Sequence, residues 1–153
     1  MKILLCMLCL LVINPCYAVG ERHGPKAIEI RVETGTKDGE MVFVPDTLDF
    51  ERGKYYKLVL HNPSNSDHYF SSDGFVTHIH TTKVEVMGAD NTTLAEIHGD
   101  VHDIELKPGT TVEWFFYPMR NGENMMLRCH KNDHEQRGMI GRISISGPPP
   151  FSN

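Results

Sequence analysis

The stretch CHKNDHEQRGM, residues 129–139, sets a thiol, two imidazoles and a thioether on one short segment. Cys129, His130, His134 and Met139 are soft or borderline donors, suited to copper or zinc rather than to magnesium or calcium. Cys129 ends one strand-like run and Met139 precedes another, so the residues between them must fold back on themselves. A return that tight can gather Cys129, His134 and Met139 around one point, with the spacing C-x4-H-x4-M. Two imidazoles, one thiolate and a distant thioether form the ligand set of a type 1 copper centre, trigonal with a long axial bond. Thiolate covalency suits both oxidation states of copper, and an intermediate geometry leaves little to rearrange when an electron moves.

The second imidazole must come from elsewhere. His68, in HNPSNSDHYF, follows a strand and is expected to begin a loop that faces the same end of the molecule. His61 is the rival, but it continues the strand of Tyr56 to Leu60 and is expected to stay in the sheet. His130 should point away from the side of Cys129 and is read as non-ligating.

The first eighteen of the 153 residues are read as a secretory signal peptide. Lys2 supplies the positive start, Ile3 to Ile13 the apolar run, Asn14-Pro15 the break and Tyr17-Ala18 a small residue for cleavage. A membrane-spanning helix would need about 20 apolar residues, and no later segment offers them. Residues 19–153 are therefore expected to form one exported domain, a monomer in the bacterial periplasm, large enough to build a core. Cys6, Cys9 and Cys16 leave with the signal, so Cys129 has no partner for an internal disulfide in an oxidising compartment. It must be deeply buried or bound to a metal. The net charge of −5, or −6 without Lys2, carries no long run of either sign and excludes a nucleic-acid partner.

From Ala27 onward the pattern has period two. Ile28, Ile30 and Val32 alternate with charged residues; Tyr56, Leu58 and Leu60 share a face, as do Val112, Trp114 and Phe116, then Met125, Leu127 and Cys129, then Ile143 and Ile145. Pro45, inside MVFVPDTLDF, suits a strand end. Further strands are expected at Lys83 to Met87, Leu94 to Ile97 and Val101 to Leu106, and only Ser71 to His80 hints at a helix. Seven or eight short strands divided by Gly and Pro turns, such as Lys107-Pro108-Gly109, predict an all-β sandwich.

These residues resemble the cupredoxins, the plastocyanin and azurin family of small copper proteins. The family's first half reads F-x-P, G, N and H-x-F, here Phe43, Pro45, Gly53, Asn62, His68 and Phe70. Its second half reads P-G-T, G, C, H and G-M-x-G-x-I, here Pro108, Gly109, Thr110, Gly122, Cys129, His134, Gly138, Met139, Gly141 and Ile143. The resemblance covers most of Ile28 to Ile145. It implies a Greek-key β-sandwich and one type 1 copper ion, with His68, Cys129 and His134 as equatorial ligands and Met139 as the axial one. It further implies single-electron transfer with a periplasmic partner such as a cytochrome or an oxidase. The chain departs from the family where Asn124 to Leu127 replace a common aromatic. It also departs at Tyr69, where Asn is frequent, so the thiolate needs another donor, for which backbone N–H groups are one candidate. Lys131, Asp133, Glu135 and Arg137 make the ligand loop polar.

Two other functions compete. The first is copper handling, a periplasmic carrier or copper-tolerance protein with a copper donor or acceptor as partner. The polar ligand loop, the pair Met125-Met126, and His78, His80, His98 and His102 favour it. Those four histidines could hold a second copper or zinc ion, but are read first as surface or hydrogen-bonded residues. The second rival is a domain of a copper oxidase or nitrite reductase. CHKNDHEQRGM resembles the oxidase motif H-C-H-x3-H-x4-M, and His78-Ile79-His80 echoes H-x-H. Because Arg128 replaces the first histidine and the other paired motifs are lacking, no enzyme is expected. A dinuclear copper centre would need two cysteines, and zinc is poorly served by a thioether.

Overall fold

The computed structural model describes residues 25–148; the expected signal peptide at 1–18 lies outside them. In chain order the elements are β1 (Ile28–Thr34), β2 (Phe43–Val44), β3 (Thr47–Glu51), β4 (Tyr56–His61) and β5 (His68–Ser71). A single helical turn, α1 (Asp73–Val76), follows. The chain continues through β6 (Ile79–Met87), β7 (Thr93–Ile97), β8 (Asp103–Leu106), β9 (Thr111–Pro118), β10 (Gly122–Arg128) and β11 (Ile140–Ser146). They build two sheets, ordered β2-β1-β4-β9-β6-β7 and β3-β11-β10-β5-β8. β1 lies parallel to β4 and β3 to β11, and the other pairs are antiparallel. This is the β-sandwich expected from the alternating pattern. Among the described residues no helix is long and apolar enough to cross a membrane.

The eleven strands among the described residues exceed the seven or eight expected, and two local features account for part of the excess. Pro45 has no N–H to give a ladder, so β2 stops before it and β3 resumes in the opposite sheet. Residues 68–71, expected to be loop, form a short strand instead. His68 and Phe70 bury on one side, and β8 pairs along the whole segment, His68 opposite Leu106 and Phe70 opposite Ile104.

The alternation seen in the sequence is the alternation that packs. Val112, Trp114 and Phe116 of β9 turn inward to meet Leu58 and Leu60 of β4 and Ile143 and Ile145 of β11. Trp114 is fully buried, and its indole N–H is satisfied by Thr81 Oγ1 at 2.9 Å, which removes the cost of burying a polar atom. The turn α1 exists to plug the core. Ser72 caps it by accepting from the N–H of Phe75, and the Phe75 ring stands edge-on to Trp114 and Phe116 at 5.7 and 5.2 Å.

β5 and β10 are antiparallel, as are β10 and β11, with Arg128 opposite both Ser71 and Ile140. The end of β10 therefore lies beside the end of β5 and the start of β11, and the chain beyond Arg128 runs back along β5, so that the N–H of Tyr69 reaches the sulfur of Cys129. Cys129 just after β10, His68 at the start of β5 and Met139 just before β11 are brought to one end of this sheet.

Candidate metal centre

Between β10 and β11 the chain makes two successive tight turns. The N–H of His134 donates to the carbonyl of Lys131 at 3.0 Å, and that of Met139 to the carbonyl of His134 at 2.9 Å. Cys129 closes the loop by donating its N–H to the carbonyl of Met139 at 3.1 Å. Met139 is thus tied through its backbone to both Cys129 and His134. The loop is the folded-back segment that C-x4-H-x4-M requires.

Three donors converge there. Cys129 Sγ lies 3.4 Å from His134 Nδ1 and 3.9 Å from His68 Nδ1, and the three atoms are within 4.8 Å of one another. A first-row ion about 2.0 Å from nitrogen and about 2.3 Å from sulfur demands N···S separations below about 4.3 Å, and both pairs meet that limit. His68, Cys129 and Met139 are wholly buried, and His134 is 5 % exposed. Cys129 is the free cysteine among the described residues. Of the residues singled out in the sequence, His68, Cys129 and His134 therefore bring their donor atoms together at this pole, and Met139 is joined to them through its backbone.

His68 is held in one tautomer. Its Nε2 lies 2.8 Å from Ser64 Oγ, and that hydroxyl donates onward to Asn62 Oδ1, also at 2.8 Å. Ser64 therefore accepts the Nε2–H proton and leaves the lone pair of Nδ1 facing the sulfur. Asn62 is fixed in turn, its amide donating to the carbonyls of Ser66 and Leu106 at 2.8 and 2.9 Å. Gly35 presses on the same ring. A Cβ there would sit 2.6 Å from His68 Nε2, and its φ of +78° already favours glycine. Neither Gly35 nor Ser64 was singled out in the sequence, and nothing in either residue type announces a contact with His68.

Burial pushes the His68 imidazole down to about 4, with the neighbouring His134 adding to the effect and Asp67 opposing it. Burial lowers His134 as well, while Asp133 opposes that shift and Arg137 and Lys131 reinforce it. Both rings are consequently neutral at pH 7, the state in which an imidazole ligates a metal.

The thiol receives the backbone donor expected in place of an asparagine. Tyr69 N–H points at Cys129 Sγ from 3.2 Å. His130 lies outside the donor cluster as expected: its ring stacks on that of Tyr69 at 4.2 Å and its Nε2 is 3.8 Å from Asp103. His61 stays in the sheet, its Nδ1 2.9 Å from Thr111 Oγ1. The polar loop is braced by ion pairs. Lys131 reaches Asp67 at 3.2 Å and Glu105 at 2.9 Å, and Arg128 reaches Glu135 at 3.6 Å. Asp67 precedes His68 in the chain, so the first pair ties together the two segments that carry the donors. Among the described residues, His78, His80, His98 and His102 join no second cluster of three metal-binding side chains. His98 instead contacts Glu96 at 2.7 Å.

The fold and the buried His-Cys-His cluster define a cupredoxin-like, copper-binding domain. A family profile described as multicopper oxidase matches residues 24–147, and the chain belongs to that family. Similar solved structures include a multicopper oxidase from Campylobacter jejuni, at a TM-score of 0.59 and 17% identity, with 83% of this chain and 31% of that one covered. A copper nitrite reductase from Nitrosomonas europaea aligns at 0.54 and 15% identity, over 80% and 50% of the two chains. Auracyanin B aligns at 0.51 and 12% identity, over 81% and 93%. No curated protein matched the sequence. The chain thus spans about a third of the Campylobacter oxidase and half of the nitrite reductase.

The family match corrects one expectation. The sequence led us to expect no enzyme, because Arg128 interrupts the oxidase motif and the paired-histidine motifs are missing. The profile nonetheless places residues 24–147 in a family of oxidases. One domain of such an enzyme need not carry every copper motif itself, so their absence here was poor evidence against enzymatic kinship.

Proposed function

We propose that this domain is a type 1 copper electron relay. In this reading His68 Nδ1, His134 Nδ1 and Cys129 Sγ would hold the copper ion, with the thioether of Met139 as the fourth donor. Copper supplies one-electron chemistry between its +1 and +2 states. The chain supplies rigidity and dryness. The observation that carries the reading is the sulfur of Cys129 lying 3.4 and 3.9 Å from two buried imidazole nitrogens. The donors are braced from both sides: Ser64 orients His68, the turn hydrogen bonds fix His134 and Met139, and the sheet ends fix Cys129. A site that barely rearranges spends little energy on reorganisation when an electron arrives or leaves.

The domain works in the periplasm, behind an N-terminal signal peptide at residues 1–18, and exchanges electrons with a cytochrome or an oxidase. His134, almost buried, approaches the surface amid Asp133, Glu135 and Arg137, so the partner docks through charge as well as shape. Stopped-flow mixing of the copper-loaded protein with a reduced periplasmic cytochrome tests the reading. Rapid, reversible reduction with copper retained supports the relay, whereas loss of copper to a chelator on reduction makes the protein a copper carrier instead. Oxygen or nitrite consumed with a donor dye would extend the relay to an enzyme.

A further inference from the structure

We propose that Met125 and His78 form a second, soft-metal site that takes Cu(I) or a similar monovalent ion. It lies where β10 begins, against α1 and the turn leading into β6. It shares no residue with the His68, Cys129 and His134 cluster.

The geometry begins with two bare glycines. A Cβ on Gly122 would sit 2.9 Å from Met125 Sδ and 3.2 Å from His78 Cδ2, so the thioether and the imidazole border the same small space. A Cβ on Gly74 would sit 3.0 Å from Met125 Cγ and 3.4 Å from its sulfur. Neither glycine adopts the left-handed backbone that makes glycine necessary elsewhere in the chain. What the missing side chains allow is the close seat of Met125 beside His78.

His78 is prepared as a ligand. Its Nδ1 lies 2.6 Å from the carbonyl of Gly74, and a carbonyl only accepts. Nδ1 therefore carries the proton, and the lone pair is on Nε2, the ring atom next to the Cδ2 that faces Gly122. A histidine whose other nitrogen is bonded to a backbone carbonyl has the outer contact common to metal-bound histidines. The backbone of His78 is also pinned: its N–H donates to Phe75 and its carbonyl accepts from Met119 at 2.7 Å and Arg120 at 3.2 Å.

Thioether and imidazole without carboxylate or thiolate select a soft, low-charge ion, and Cu(I) is the one such donors favour. Packing alone would be served equally well by leucine at 125, and the experiment turns on that difference. The full chain bearing Cys129→Ser, labelled at its methionine methyl groups, is titrated with Cu(I) under anaerobic conditions while a chromophoric chelator competes. The Met125 methyl resonance is expected to move with the ion. In the same background, Met125→Leu and His78→Gln should each weaken that binding by about tenfold or more, at least what loss of an outer contact to a ligand costs. A Met125 methyl that does not move, with the ion held only by His68, His134 and Met139, overturns the proposal. So does Met125→Leu binding as tightly as its parent. Neither outcome bears on the colour of the unsubstituted protein, so this site and the relay stand or fall separately.

Discussion

The backbone N–H of Tyr69 is 3.2 Å from the sulfur of Cys129, and Tyr69 directly follows His68. One short strand thus delivers both an imidazole and a hydrogen-bond donor to the thiolate. A backbone donor does not depend on the side chain at that position. Tyr69→Phe should therefore leave the visible spectrum and the copper affinity of the loaded protein unchanged. A shifted absorption band in that variant would show that the phenol itself acts on the site.

Ser64 is the residue whose removal best isolates the tautomer lock. Ser64→Ala deletes the acceptor for His68 Nε2–H and opens a small gap beneath the ring. Losing an outer partner of a ligating histidine costs about 10- to 100-fold in metal affinity. A competition titration should show a loss in that range with the fold intact by circular dichroism.

Met139 is fully buried, and its backbone is bonded to both Cys129 and His134. A weak axial thioether donates more to Cu(II) than an alkyl group does. Met139→Leu should accordingly keep copper bound while raising the reduction potential, read by redox titration of the visible band. Loss of binding would place the fourth donor elsewhere.

Much of this architecture could be read from the chain. Val112, Trp114 and Phe116 announce a half-buried strand because side chains alternate across a pleat, and the structure uses that alternation directly. Cys129 and His134 were legible because their spacing fits one tight loop. His68 was found by placement at a strand end, yet its own segment was misread as loop: four residues after a polar run are too few to show a period. Ser64 and Gly35 were invisible for a different reason. Their role is contact with one ring across 4 and 33 residues of chain, and no local pattern encodes such a contact. The kinship with oxidases was misjudged at Arg128, where a missing ligand was given more weight than the matching frame around it.

The buried imidazoles make the copper-free protein sensitive to acid. His68 protonates near 4 when folded but near 6.5 when exposed, so the unfolded chain takes up its proton first as pH falls. Stability linked to this group is complete above about 6.5 and drains away between about 6.5 and 4. His134, lowered for the same reason, acts in the same direction. Denaturant titrations of the copper-free protein across this window should show the midpoint falling steadily, and a His68→Gln variant should lose part of that slope.

The most direct measurement is the visible and EPR spectrum of the protein loaded with one equivalent of Cu(II), beside that of Cys129→Ser. An intense sulfur-to-copper charge-transfer band in the first, absent from the second, is expected when thiolate and both imidazoles grip the same ion. A pale spectrum unaltered by Cys129→Ser would mean that copper sits elsewhere, and the relay at this pole would be wrong.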